Sequence, residues 1–362
     1  LETLAAHPAF DVAVVGEGEA IADRLVRALA GGGSLGGVPG IAHREGGQPT
    51  LTGPAPALEE LDELPWPARH LLPNDRYHTV DAWPMTCVIA MRGCPARCTY
   101  CNVPALAGRR MRRRSPADVV GEILEAHQRY GVGYVSFLDD TFTTSRRWVV
   151  QLCEALCDAG LPGRVAWSCL TRPDLVDPEL LATMRAAGLS RVEFGIESGS
   201  PRVLERLGKG VELPRIRAAF RAARAAGLVT MGFAMINTPD ETPEELAQTE
   251  AEVLSIDPDF LQLSFCTPYP GTPLFEYCRD HDLMATTDWN DFRFLRTPVI
   301  HNRWLTPEQL RARHGQILRR FYLRPRKAAR LARLMLARPG AARSLAATAA
   351  RGLGHLARGS DG

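Results

Sequence analysis

Residues 92–102 read Arg-Gly-Cys-Pro-Ala-Arg-Cys-Thr-Tyr-Cys-Asn, which places Cys94, Cys98 and Cys101 in one short loop with the spacing C-x3-C-x2-C. Soft thiolates select iron–sulfur clusters, zinc or copper(I). A structural zinc site is closed by four ligands, and a [4Fe–4S] cluster usually takes four cysteines. No obvious fourth Cys or His stands nearby, so a zinc knuckle would have to borrow a distant thiol such as Cys87. Three cysteines leave one iron with an open position where a small molecule can coordinate. The loop therefore points to chemistry rather than scaffolding.

Outward from the loop, apolar strand candidates recur at Thr86–Met91, Tyr134–Leu138, Val165–Cys169, Arg191–Gly195, Val229–Ile236 and Phe260–Phe265. Helix start signals fall between them. Ser115-Pro116, Asp177-Pro178 and Thr242-Pro243 each set a capping side chain before a proline suited to the first turn. Val119, Val120, Ile123 and Leu124 give the first of these helices a buried face. Gly188 and Gly227 stand where helices should stop. Strands alternating with helices predict an α/β fold with a parallel sheet covered on its outer face.

The cysteine run resembles the cluster motif of the radical S-adenosylmethionine (SAM) superfamily. The resemblance implies that the open iron chelates the amino and carboxylate groups of SAM. It also implies that an electron from the cluster splits the sulfonium to give a 5′-deoxyadenosyl radical. Tyr100 matches the aromatic residue that such proteins place near the adenine. The implied fold is an open (β/α)6 partial TIM barrel, residues 81–285, with its chemistry at the carboxyl ends of the strands.

Further strings similar to the family's fall at those ends. Asp139 and Asp140 follow the second strand, where the family holds the SAM amino group; helix capping is the plainer role for Asp140. Glu197 and Ser198, in Phe194-Gly195-Ile196-Glu197-Ser198-Gly199, would face the SAM ribose or methionyl part. Trp167 and Arg172 flank the end of the third strand, and an Arg there can bind a carboxylate bidentately. The fifth strand leads into Asn237-Thr238-Pro239-Asp240-Glu241-Thr242 where relatives read Gly-x-Pro-Gly-Glu-Thr. Asn and Asp are the residues that best tolerate positive φ, so the turn is expected to survive with Asn237 beside the adenosine. The sixth strand ends in Thr267-Pro268-Tyr269-Pro270-Gly271-Thr272, as in relatives, with Cys266 the extra thiol placed to meet substrate.

Composition agrees with an enzyme. The chain has 362 residues, is 45% hydrophobic, and carries a net charge of only +2, so nothing global argues for a polyanionic partner. Nine cysteines, an odd number, with no signal peptide or bilayer-length apolar run, predict reduced thiols and a cytoplasmic setting. Cys153 and Cys157 read as core thiols on one helix. Arg109, Arg110, Arg112, Arg113 and Arg114 form a basic cluster; relatives carry arginines here regardless of substrate, which argues against nucleic acid.

The N-terminal stretch narrows the resemblance to the cobalamin-associated type. Phe10–Val15 reads as a strand, residues 16–19 as a Gly-Glu-Gly-Glu turn, and the following residues through Leu29 as an amphipathic helix. A loop at Val38–Arg44 and the segment Pro65-Trp66-Pro67-Ala68-Arg69 come next. Residues 1–40 are thus expected to be the remnant of a flavodoxin-like cobalamin-binding domain, its strand without sheet partners, and 41–80 a linker. The start at Leu1 and the lack of an Asp-x-His-x-x-Gly ligand motif lead to the expectation of a truncated or processed start, with cobalamin belonging to the longer protein.

Residues 286–362 form a basic helical extension: from Arg311 to Arg358 there are thirteen Arg or Lys and no acidic residue. Leu331, Leu334 and Met335 share one helical face, so the helix either packs on the barrel or lies on the inner face of the membrane. The resemblance implies a radical SAM enzyme acting on an unactivated carbon of a natural product, lipid or tetrapyrrole. Cobalamin-dependent methyl transfer comes first, radical cyclisation or rearrangement second, with a flavodoxin or ferredoxin as electron donor. From another class, an iron–sulfur electron-transfer or structural protein would bind the cluster without turning over SAM.

Overall fold

Six apolar segments pair side by side in the computed structural model, which describes residues 1–79 and 83–336. They are β1 (Met85–Val88), β2 (Tyr134–Phe137), β3 (Ala166–Thr171), β4 (Leu189–Glu197), β5 (Val229–Ile236) and β6 (Phe260–Phe265). The pairing is parallel throughout and the order sequential, so each connection returns to the neighbouring strand and β1 and β6 are left as edges. This is the expected open (β/α)6 sheet. The first strand is shorter than the sequence suggests because Met91–Arg92 turns away to pair antiparallel with Arg112–Arg113.

The helices begin where their caps predict. Ser115 Oγ accepts the Asp118 N–H at 3.2 Å to start α1 (Pro116–Tyr130). Ser145 starts α2 (Arg146–Asp158), which frees Asp140 from the capping role. Asp177 accepts the Leu180 N–H at 2.8 Å to start α3 (Pro178–Ala186). Helices α4 (Pro201–Arg206) and α5 (Leu213–Ala225) follow β4. Thr242 and Glu245 form a reciprocal capping box on α6 (Pro243–Ile256). Helix α7 (Pro273–Asp280) follows β6. Val119, Val120 and Ile123 of α1 and Val149 and Leu152 of α2 are buried, as are Val135 and Phe137 of β2. Trp167, expected at the rim, is core: it lies 5.5 Å from Phe137 and donates its Nε1–H to Ala187 O.

Both sheet edges are covered by side chains. On β1, Arg69 Nη2 donates to Cys87 O and its Nε to Thr86 Oγ1, while Nη2 also reaches the buried Glu122 at 2.5 Å. On β6, Tyr322 Oη takes the Leu261 N–H and donates to Leu261 O, and His314 Nε2 lies 2.8 Å from Leu263 O. Both belong to α8 (Pro307–Tyr322). Helix α9 (Pro325–Leu336) then turns Lys327 and Arg330 inward and leaves Arg326 and Arg333 exposed. Lys327 pairs with Asp257 at 2.7 Å and sits over the Phe321 ring, and Arg324 and Arg330 pair with Asp257 and Asp259. These three charges serve packing against the barrel, the first of the two expected roles of this helix. Residues 337–362 lie outside the described part.

Contacts divide the chain into two units, one comprising Leu1–Trp66, Met91–Ala96 and Cys101–Arg114, the other the remainder. In the first, Val12–Val14 pairs antiparallel with Ile41–Glu45, which continues to Gln48–Leu51. Helix Gly18–Ala30 packs Ile21 against Val38 and Ile41. This corrects two expectations. The strand near residue 12 does have a sheet partner, and residues 38–44 are partly that partner rather than a loop, since Ile41 and Ala42 need burial that a loop would not give them. No helix among the described residues is long and apolar enough to cross a membrane.

Candidate functional site

In the sheet-bearing unit, a chain of polar contacts runs across the strand ends. Arg172, just beyond β3, aims Nη1 at Cys98 Sγ, 3.8 Å away, and donates from Nη2 to Lys209 O at 2.8 Å. Asp174 grips the other side of the guanidinium at 3.0 and 3.1 Å. Burial works against the charge of Arg172, but the Asp174 hydrogen bonds and charge, with Cys98 adding, leave its pKa raised. Lys209 in turn sends Nζ to Glu197 Oε1 at 2.7 Å, both side chains being buried. Glu197 closes β4 at φ +61°, a left-handed conformation that is uncommon away from glycine. Gly195 makes the pair feasible, since a Cβ there would stand 2.2 Å from Glu197 Oε1 and 2.6 Å from Lys209 Nζ. The cysteine loop is pinned beside this network, with the Thr99 N–H on Leu207 O and the Leu274 N–H on Thr99 O. Tyr100 packs against the cluster of Val203, Leu207 and Leu274.

The other expected ligand residues divide. Asp140 is accessible at the end of β2, yet the protein crowding its carboxyl raises its pKa. Asp139 is buried and accepts the Ala90 N–H at 2.9 Å, fixing the end of β1. Ser198, expected to face the ligand, is fully enclosed: its Oγ pairs with Thr249 Oγ1 at 2.8 Å and accepts the Ser200 N–H. It holds the β4 turn on α6. Asn237 and Asp240 do take positive φ, +63° and +57°, so the turn survives without its glycines. Asn237 donates Nδ2–H to Ile300 O at 2.9 Å and keeps its buried Oδ1 unpartnered among the described residues. Beneath the turn Glu241 accepts the N–H groups of Asn237 and Thr238, and burial pushes its pKa up to about 8. Cys266 is walled into the core beside Cys278 rather than facing substrate, with its thiol pKa raised by burial. Cys153 is core as expected, but Cys157 is exposed, because it falls on the outer face of α2.

In the other unit, Gly93 precedes Cys94 at φ +91°, where a Cβ would stand 2.3 Å from Arg110 O. The Cys94 N–H donates to Gly108 O at 3.2 Å, and Arg109 Nη1 to Ala96 O at 2.7 Å. The basic cluster is thereby explained locally. Arg112 grips Glu17 with two bonds of 2.7 Å and reaches Leu58 O and Ala107 O, Arg110 pairs with Glu59, and Arg92 with Glu19. Burial would raise the pKa of Glu17, but Arg112, the Leu58 N–H and Arg92 bring it below the usual carboxylate range. Sequence reasoning missed Glu17, Lys209 and Glu241. The acidic turn at 16–19 was a signal for the first and the string 237–242 for Glu241, while nothing local marked Lys209.

Among the described residues, no three His, Cys, Asp or Glu side chains are drawn into a ready-made metal site. What the loop supplies is donor chemistry: Cys94, Cys98 and Cys101 carry thiols outside any disulfide, and the Arg172 guanidinium stands 3.8 Å from Cys98 Sγ. That set fits a thiolate-held iron cluster, and the open Asn237 Oδ1 fits a polar ligand at the end of β5.

A parallel (β/α)6 sheet, with Cys98, Thr99 and Tyr100 held beside the ends of β3 and β4, is the frame of a partial barrel. The description of the Radical SAM superfamily matches residues 88–253. An uncharacterized methyltransferase of Pyrococcus horikoshii is 35% identical over 328 residues, covering 90% of this chain and 70% of the relative. Anaerobic magnesium-protoporphyrin IX monomethyl ester cyclase of Cereibacter sphaeroides is 30% identical over 329 residues, 89% of this chain and 53% of the cyclase. Among solved structures, the radical SAM methyltransferase TsrM of Kitasatospora setae, with cobalamin and a [4Fe–4S] cluster bound, superposes with TM-score 0.63 at 20% identity, over 77% of this chain and 55% of that one. That likeness is one of fold. The chain belongs to the radical SAM superfamily. Membership implies a [4Fe–4S] cluster and SAM as its cofactors.

Proposed function

We propose that this chain carries the catalytic core of a cobalamin-associated radical SAM enzyme that methylates an unactivated carbon of a natural product, lipid or tetrapyrrole. The observation that carries the reading is the 35% identity, over 90% of the chain, to a protein named as a methyltransferase. Residues 81–285 would be the radical SAM core, 1–40 and 41–80 the part leading from a cobalamin-binding domain, and 286–362 a helical extension. Cys94, Cys98 and Cys101 would hold the cluster. When bound, cluster, SAM and cobalamin together supply the electron and the methyl carrier.

The chain's own residues orient and enclose. Arg172 sets its guanidinium beside Cys98 Sγ and donates to Lys209 O. The buried Glu197–Lys209 pair fixes the β4 end, and Asp140 offers an accessible carboxyl to the ammonium of SAM. Tyr100 and Asn237 would flank the adenosine. A flavodoxin or ferredoxin would deliver the electron.

The identity to a named cyclase supports a second reading, radical cyclisation without methyl transfer. The two differ in products. Anaerobic reaction of the reconstituted protein with methyl-deuterated SAM should give S-adenosylhomocysteine and labelled product if it is a methyltransferase. 5′-Deoxyadenosine with no S-adenosylhomocysteine would favour the cyclase reading, and no SAM-derived product at all would overturn both.

A further inference from the structure

The last strand carries an aromatic feature that the reaction scheme leaves unused. The Phe265 N–H, at the carboxyl end of β6, donates to Phe294 O at 2.6 Å, which lays the segment after α7 across that strand end. There Trp289 and Phe292 lie 4.7 Å apart between ring centroids, and Phe292 lies 6.4 Å from Tyr269. Tyr269 sits in the β6–α7 loop, and in the first turn of α7 that follows, the Leu274 N–H bonds Thr99 O, next to Cys98. The aromatic group thus adjoins the connection that ends on the residue beside Cys98.

Trp289 is 45% exposed, Phe294 40% and Leu295 48%, a concentration of apolar surface that burial elsewhere in the chain does not relieve. The same segment carries Arg293 and Arg296, both exposed. Arg293 uses only Nε, on Asn290 O, and the Arg296 side chain has no ion pair among the described residues. The nearby carboxylates are occupied, Asp291 by Thr286 and Asp288 by Asn290. An exposed indole and two half-buried rings tilted to it and to each other by 44° and 49°, with exposed guanidinium groups in the same segment, match a flat conjugated ring system bearing carboxylates: Trp289 stacks on its face, the tilted rings meet its edge, and the cations take the acids.

We infer that Tyr269, Trp289 and Phe292 form a substrate ledge for a planar polycyclic carboxylate, with Arg293 and Arg296 binding its acid groups. The inference rests on the reading of this site as a radical SAM centre and narrows its substrate from lipids and saturated polycycles to flat aromatic acids.

The test is equilibrium binding to the purified full chain, which requires no turnover. Protoporphyrin IX is the planar dicarboxylate probe, its dimethyl ester lacks the acids, and cholic acid is a non-planar acid. Protoporphyrin IX should bind roughly tenfold or more tightly than either control. Trp289→Ala should weaken both porphyrins about tenfold, whereas Arg296→Gln should weaken only the diacid. Trp304→Ala, an equally exposed indole outside the ledge, should change nothing. Equal binding of cholic acid, or equal loss in Trp304→Ala and Trp289→Ala, overturns the ledge. Binding through the ledge without any SAM-derived product would leave the ledge standing and overturn the reaction reading instead.

Discussion

Lys209 Nζ and Glu197 Oε1 stand 2.7 Å apart inside the protein, and the same Lys209 offers its carbonyl to the Arg172 that faces Cys98. A single residue therefore joins the end of β4 to the side of the cysteine loop, by its ammonium in one direction and its backbone in the other. Removing one partner leaves a buried charge uncompensated. Glu197→Gln should cost on the order of 3–5 kcal/mol of stability, and Glu197→Gln with Lys209→Met should recover much of it. Thermal unfolding of the two variants checks this. A single variant as stable as the wild type would show the pair to be unimportant for the fold.

Loss of any one of Cys94, Cys98 and Cys101 to Ala should abolish the visible iron–sulfur absorbance after anaerobic reconstitution. Cys153→Ala and Cys266→Ala should keep it, since both thiols are walled into the core with pKa values raised by burial. Iron and sulfide assays provide the count. A full four-iron cluster in the triple variant would refute the ligand assignment.

Stability should decline as pH rises toward alkaline values. The Glu241 pKa is about 8 when folded, against an ordinary value of 4.5, so the folded state binds the proton more tightly. Its contribution is fully present below about pH 4.5 and is lost as pH climbs through about 8, a swing on the order of a few kcal/mol. Melting curves across that window should slope downward for wild type and lie flatter for Glu241→Gln. Identical slopes would mean that another group sets the profile.

Lys327→Ala should destabilise the chain by about 1–3 kcal/mol, because Asp257 and the Phe321 ring lose a wholly buried cation. Arg326→Ala, on an exposed position of the same helix, should stay within about 0.5 kcal/mol. Denaturant midpoints compare the two; equal effects would argue that α9 does not dock through Lys327.

The sheet was legible because its signals are local. Each strand is a short apolar run, and Ser115, Asp177 and Thr242 cap helices through N–H groups three residues away. The cysteine loop was legible for the same reason. What the strand-end side chains do was less so. Ser198 meets Thr249, and Asp139 meets Ala90, partners about fifty residues distant that only the folded sheet brings near. A motif string marks the rim but does not tell which of its side chains point into the cleft and which hold the rim together. Lys209 carries no local mark at all, because its importance lies in being enclosed beside Glu197.

A barrel that stops after six strands leaves an outer strand able to recruit another chain, as amyloid-forming edges do. Here Tyr322 and His314 already occupy the Leu261 N–H and the Leu261 and Leu263 carbonyls. Two side chains thus imitate the missing neighbour, and they do so without imposing its width. Those edge groups are thereby withheld from a second copy of the protein. A chain cut before Pro307 would lose that protection and should polymerise strand to strand.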